Sequence, residues 1–404
     1  MNITAVHSRV LSTAAGSGPT YEQSAGLHFP EAAGASGPFP GRRDIRHTCA
    51  YPDVMSTVLV SVEAGGLIGY GEAHAPVTPR VAHTIVIDLL APLLIGQDAR
   101  QIDVIWERMF SAMRLRSHTQ GFMAEAIAGV DIALWDLLGK QRQEPIWLML
   151  GGAHQRRLPA YSSGVPGSTD DERVATVEHL LGEGFTVMKA SSGRGSLDEQ
   201  MSLIRPVAEA VGSRGRLLVA AHGAFDLADA ERFADFLTEF GNVDWFEDPL
   251  VPEDGHAYTS LTASTRQLRI AMGETECNRY GVRDRLQSRQ CDVLLPDVCR
   301  AGGISETLRI ARLADTFGVS WASHVSMSTP IHLAAGLHVG AATPNFYISE
   351  YPTGFSGSPI GDRLVKTPIV VDGGWVELSD EPGLGLDLDL QAIEELTRVS
   401  ESRS

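Results

Sequence analysis

The sequence predicts an α/β protein: a parallel (β/α) barrel with its helices outside, preceded by a smaller α+β region. Two observations carry this. From about residue 158 to 350, eight short apolar runs alternate with amphipathic helical segments, the pattern of a parallel sheet covered by helices. Five of those runs close on an acid or a histidine: VDWFE on Glu247, RIAMGE on Glu274, DVLLPD on Asp297, VSWASH on His324 and NFYISE on Glu350. Successive rungs stand 27, 23, 27 and 26 residues apart, the length of one strand, one helix and two loops. A layered sandwich would alternate in the same way, so the barrel rests on the count of eight.

Each element follows from its own pattern. Residues 1–10 alternate like a strand. From about Leu11 to Arg46 the chain is rich in Gly, Ser, Ala and Pro, which reads as a long loop of the kind that is functional or disordered. The stretch STVLVSVEAGGLIGYGEA reads as two strands joined at Gly65-Gly66. Residues 81–118 carry helical periodicity, with breaks expected at Pro92 and Gly96. In AEAIAGVDIALWDLLGKQRQ the residues Ile127, Val130, Leu134, Leu137 and Leu138 form one apolar stripe, so a helix is predicted that ends before Pro145. Barrel strands are expected near 158–162, 185–190, 216–220, 243–247, 268–273, 291–295, 318–322 and 346–350. After about residue 365, the strand-like IVVDGGWVEL and an acidic, Pro/Gly-rich tail are expected to pack back onto the N-terminal region.

Composition bounds the partners. The chain has 404 residues, 43% of them hydrophobic, enough for a large core. Its 33 basic and 50 acidic residues give a net charge of −17 with no block of one sign, which disfavours nucleic acid and anionic membranes. An anionic substrate stays open, because a bound metal inverts the local field. The N-terminus and the longest apolar runs are too short for a leader or a span, so a soluble, cytoplasmic protein is expected. Four cysteines (Cys49, Cys277, Cys291, Cys299) show no zinc-like spacing and fit a reducing compartment.

In a parallel barrel the chemistry sits at the C-terminal strand ends, where the ladder stands. Glu247 and Glu274 would converge on the barrel axis as oxygen ligands for Mg²⁺, or else be two surface acids. An Asp beside a His orients the imidazole and raises its basicity, so Asp297 and His324 read as a general base; a histidine bonded into the core is the bland alternative. Glu350 would either donate to a reacting oxygen, if kept protonated, or serve as a buried structural acid. One rung below Glu247, in LLVAAHG, Ala220 stands where an acid would complete a set of three.

At these motifs the chain resembles the mandelate racemase subgroup of the enolase superfamily. The resemblance runs from VLVSVEAGGLIGYGEA through AIAGVDIALWDLLGK, LMLGG, WFEDP, GE, LPDVCRAGGISETLRIA and SHVSMSTPIHLAA to SEYPTG. It implies a modified TIM-like (β/α) barrel (residues 126–364) under an α+β N-terminal capping domain (1–125, completed by 365–404). It also implies Mg²⁺ on the substrate carboxylate, abstraction of the α-proton to an enediolate, and a homo-oligomer.

Two departures from the family narrow the chemistry. Many relatives end the second strand with Lys-x-Lys, whose second lysine is a base. Here that position is Ser191, a polar, substrate-facing residue too weak to serve as a base, so racemisation is not expected. Lys189 remains and points the same way, to neutralise a carboxylate ligand, contact substrate, or make a barrel-core ion pair. At the third strand, Ala220-Ala221-His222 replaces an Asp-x-Asn or Asp-x-His pattern. His222 resembles the general acid of the family's acid-sugar dehydratases, or is a strand-end polar residue. For Ala220 three readings stand: an inactivated variant, a lineage with a rebuilt site in which His222 is a ligand, or a catalytically silent descendant. The otherwise intact ladder favours the first.

The expected function is an Mg²⁺-dependent acid-sugar dehydratase yielding a 2-keto-3-deoxy acid. The alternatives are a cycloisomerase or lyase acting on a sugar lactone or anhydro sugar acid, and a silent sugar-acid binding protein. Substrate contacts from the N-terminal loop are expected from His28, Arg43 and Arg46.

Overall fold

The computed structural model describes residues 1–13, 55–192, 195–326, 328–352 and 360–404, and the backbone of 27–28 and 51–52. Arg43 and Arg46 lie outside the described residues, as does the side chain of His28. The capping sheet has four antiparallel strands in the order β16-β1-β4-β5: β1 is Ile3–Ser12, β4 Ser56–Ala64, β5 Leu67–Ala73 and β16 Thr397–Arg403. β1 runs two residues past the expected strand. β2 (Leu27–His28), within the expected loop, pairs antiparallel with β3 (Tyr51–Pro52), which lies beyond it. Gly65 and Gly66, at φ 59° and 77°, make the β4–β5 turn that needs positive φ at both central positions.

The first helical stretch, α1 (Pro79–Thr84), passes through a π-helical segment, Ile85–Leu90, into α2 (Ala91–Leu94). The break expected at Pro92 does not occur. Pro92 falls in the first turn of α2, where its missing N–H costs no helix bond, and the widened π turn accommodates it. Gly96, at φ 80°, does end the run. Helices α3 (Ile102–Ala112) and α4 (Phe122–Arg142) follow; α4 spans the boundary expected at 125/126. β5 lies on α4 so closely that a Cβ at Gly71 would stand 2.0 Å from the Gly129 carbonyl oxygen. The other side of α4 meets the barrel: Asp131 accepts from Ser305 N at 2.9 Å and Ser305 Oγ at 2.6 Å, at the start of the barrel helix Ile304–Thr316.

Eight parallel strands close the barrel. They are β6 (Arg157–Ser163), β7 (Val187–Ser191), β8 (Arg216–Ala220), β9 (Val243–Glu247), β10 (Arg269–Met272), β11 (Val293–Leu294), β12 (Ser320–Ser323) and β13 (Phe346–Pro352), with β13 pairing back to β6. Each matches an expected run, and amphipathic helices such as Asp170–Gly182 cover the outside. Tyr161, Leu218, Trp245, Leu295, Ala322 and Ile348 fill the lumen as one buried cluster. Side chains alternate faces along a strand, so the residues two further on also point inward: Ser163, Ala220, Glu247, Asp297, His324 and Glu350. The lumen packing therefore serves as the floor on which the ladder stands.

The tail divides. The hairpin of β14 (Val371–Asp372) and β15 (Trp375–Glu377) pairs with β6 of the barrel, Val376 opposite Leu158. β16 pairs with the capping sheet antiparallel to β1, and the helix Leu390–Leu396 before it packs on β1, with Glu394 3.5 Å from Arg9. The expectation that the tail packs back onto the N-terminal region holds for its last helix and strand, while its hairpin joins the barrel.

Candidate active site at the mouth of the barrel

Two charge clusters meet above the lumen. In the first, Lys189 Nζ lies 3.0 Å from Glu247 Oε1 and 3.0 Å from Glu350 Oε1. Lys189 is 6% exposed and both acids 1%. Burial disfavours the ammonium, but Glu247 and Glu350 outweigh it and hold the Lys189 pKa well above its ordinary value. Glu350 Oε1 also accepts from Ser163 Oγ at 2.5 Å, and Oε2 accepts from the backbone N–H groups of Val325 (2.7 Å) and Ser326 (3.1 Å). Against its burial, Lys189, His324 and these donors bring the Glu350 pKa down to about 2. Glu350 is thus anchored on both oxygens, by Lys189 and Ser163 at Oε1 and by two backbone N–H groups at Oε2.

In the second cluster His324 stands between two acids, with Nδ1 2.9 Å from Asp297 Oδ2 and Nε2 3.0 Å from Glu274 Oε2. Burial works against the imidazolium, yet Glu274, Glu350 and Asp297 together raise the His324 pKa well above the usual histidine value. Asp297 Oδ1 is held by the N–H groups of Cys299 (2.9 Å) and Arg300 (3.0 Å) and meets His332 Nε2 at 3.1 Å. Asp297 and His332 are both fully buried. Sequence reasoning missed His332, whose place on the helix Pro330–Ala341 puts it behind Asp297; the short loop from β12 to that helix is the only sequence signal for it.

The donor set for a metal differs from the expected one. Glu247, Asp248 and Glu274 each offer a carboxylate oxygen within 4.8 Å of the others. Asp248 Oδ2 is sealed from solvent and meets no hydrogen-bond partner among the described residues. Burial, with Glu274 and Glu247 close by, holds the Asp248 pKa well above the ordinary carboxyl range. An all-oxygen set of this charge suits a hard divalent cation, so the residues present fit one, with a third acid that the sequence reading did not include. Ala220 is fully buried beside Glu247 in the sheet register.

The remaining sequence candidates sit at the rim. His222, two residues past β8, is exposed and adopts φ 50°; it acts electrostatically on Glu274. Non-glycine residues at positive φ are uncommon, histidine being among those that tolerate it better. Ser191 is exposed at the end of β7, opposite Ala220 in the register. The three described cysteines, Cys277, Cys291 and Cys299, are free. No helix among the described residues is long and apolar enough to cross a membrane.

Comparison with known proteins agrees with this layout. The family model described as enolase C-terminal domain-like matches residues 172–392. The mandelate racemase/muconate lactonizing enzyme N-terminal domain matches residues 46–151. The chain belongs to the enolase superfamily. This enolase-superfamily chain is 33% identical over 356 residues to a D-galactarolactone cycloisomerase of Agrobacterium fabrum, covering 85% of the chain and 92% of that protein. It is 30% identical to a D-xylonate dehydratase of Haloferax volcanii, covering 85% of each. The fold matches an enolase-superfamily structure from Agrobacterium tumefaciens with a TM-score of 0.86 at 24% identity, over 98% of this chain and 99% of that one. Enolase-superfamily members typically bind a divalent metal, and the converging carboxylates are where such an ion would sit.

Proposed function

We propose that the chain is an acid-sugar dehydratase that removes the proton α to a carboxylate and expels the β-hydroxyl. The observation that carries this reading is His324, whose imidazole is oriented by Asp297 at 2.9 Å and reaches the acid cluster with Nε2. Mg²⁺ held by Glu247 and Glu274, when bound, supplies positive charge to the substrate carboxylate and so acidifies its α-proton. Nε2 of His324 takes the C2 proton, and Asp297 stabilises the imidazolium that forms. The C2–H electrons become the C2–C3 double bond as the C3–O bond breaks. His222 donates the proton with which the hydroxyl leaves as water, and the enol then tautomerises to the 2-keto-3-deoxy acid. Lys189, anchored by Glu350, balances Glu247 and faces the incoming carboxylate. Ser191 in place of a lysine puts no base at the end of β7, so elimination is favoured over racemisation.

The resemblance to a galactarolactone cycloisomerase favours a second reading, in which the same abstraction by His324 opens a sugar lactone whose carboxylate is the leaving group. A carboxylate departs without an acid, so His222 would be dispensable there. The test is a panel of aldonates, aldarates and their lactones with Mg²⁺, followed by keto-acid detection and by C2 deuterium exchange in D₂O. Keto acid from open-chain acids supports the dehydratase, whereas turnover of lactones alone supports the cycloisomerase. Binding with neither exchange nor product would sink both and leave a silent sugar-acid binder.

A further inference from the structure

We propose that Asp248 replaces the missing rung at Ala220, acting with Glu247 and Glu274 as the third carboxylate ligand of the divalent cation. This rests on the metal-dependent reading above and goes beyond it in assigning a ligand set of its own to this chain.

The backbone argues for it first. Glu247 faces the lumen because it stands two residues beyond Trp245, and regular pleating would turn the next side chain outward. Asp248 does not follow the pleat: its φ is 40°, in the left-handed region that aspartate tolerates better than most residues. Pro249 follows, which disfavours the right-handed helical region at 248. The turn is pinned on both sides, with Asp248 N donating to Ala271 O at 2.9 Å and Gly223 N donating to Asp248 O at 2.6 Å. The result is that two consecutive carboxylates face the same point as Glu274.

The chemistry of the group argues next. Asp248 Oδ2 is closed to solvent without a donor among the described residues, and a buried acceptor left unmatched is costly unless a cation or proton meets it. Ala220 cannot ligate through its methyl. Its carbonyl is already taken by Ser192, from N at 2.7 Å and from Oγ at 3.3 Å. His222, the other stand-in, is exposed and is not part of the converging group. Because Ala220 lies beside Glu247 in the register, the methyl there leaves the flank of Glu247 without a competing acid, and the third charge enters from the turn at 248.

The test uses the full chain without sugar, titrated with Mn²⁺ and followed by the electron paramagnetic resonance of the free ion. Asp248→Asn keeps the shape and the tolerance of left-handed φ, and its thermal melt should match the parent. It is expected to weaken Mn²⁺ binding by at least about 100-fold, more than loss of an outer-shell contact produces. Adding Ala220→Asp to that variant should recover most of the affinity. The inference is overturned if Asp248→Asn binds Mn²⁺ like the parent, or if the parent binds none while Ala220→Asp alone does. The readout contains no turnover, so a chain that binds Mn²⁺ through Asp248 yet forms no keto acid would refute the proposed reaction and leave this assignment standing.

Discussion

The Lys189 ammonium lies 3.0 Å from Glu247 Oε1 across one intervening strand, β8, and that strand ends in Ala220. In the register Glu247 has Ala220 on one side and Ala271 on the other. Its negative charge is therefore answered from further off, by a lysine two strands away that Glu350 holds in place. Lys189 is thus the counter-charge of an acid cluster that would otherwise repel itself.

Replacing Lys189 with Gln should therefore destabilise the chain by about 3–5 kcal/mol, the range for removing one partner of a buried pair. Urea denaturation measures it. Mg²⁺ should recover part of the loss by supplying the missing positive charge, and a variant as stable as the parent would refute the role.

Against its burial, Glu274, Glu350 and Asp297 raise the His324 pKa well above the usual histidine value. Its folded pKa lies above the unfolded one, so its contribution to stability is full below about pH 6.5 and is lost as pH rises through the folded value. A cation drawing on Glu274 should lower that pKa and release a proton. Calorimetric titration of Mg²⁺ at pH 7.5 in two buffers of different ionisation heat should show this release. His324→Gln should reduce it, while Asp248, also held well above its usual range, supplies the remainder. Heats independent of buffer would contradict the coupling.

His222 and His324 should separate the two halves of the reaction. His324→Asn is expected to lower C2 deuterium exchange by about 10²–10⁴-fold. His222→Asn should leave exchange in place and slow keto-acid formation from open-chain acids alone. Equal loss of exchange and product in His222→Asn would remove its assignment as the acid.

Asp131 gives a pH dependence unconnected with the site. Burial, only partly offset by the two bonds from Ser305, raises its pKa to about 7. The carboxyl thus favours folding fully below about pH 4, and that stability is lost as pH rises to about 7, an effect on the order of 2–4 kcal/mol. Asp131→Asn should flatten this part of the profile of melting temperature between pH 5 and 8. An unchanged slope would show that Asp131 is charged throughout.

Gly71 tests the seam between β5 and α4. A Cβ there would meet the Gly129 carbonyl oxygen at 2.0 Å and the Ala133 nitrogen at 2.7 Å, both backbone atoms that cannot turn aside. Gly71→Ala should cost about 3 kcal/mol as overpacking, read from thermal or urea melts.

Much of this chain was legible in its residues, because two periodicities repeat without interruption. The strand and helix lengths set the eight units, and the pleat carries Glu247, Asp297, His324 and Glu350 inward together, two steps above the lumen packing. Those are local regularities, and local sequence expresses them. What the tertiary structure alone decided are the places where one element answers another. Asp248 breaks the pleat through a positive φ that no composition announces. Glu350 is anchored because Ser163, Lys189 and two backbone N–H groups converge on it from other elements. The tail parts between barrel and cap because β15 finds β6 while β16 finds β1. In each case the deciding partner is distant in sequence, and the geometry that brings it near exists only once the barrel has closed.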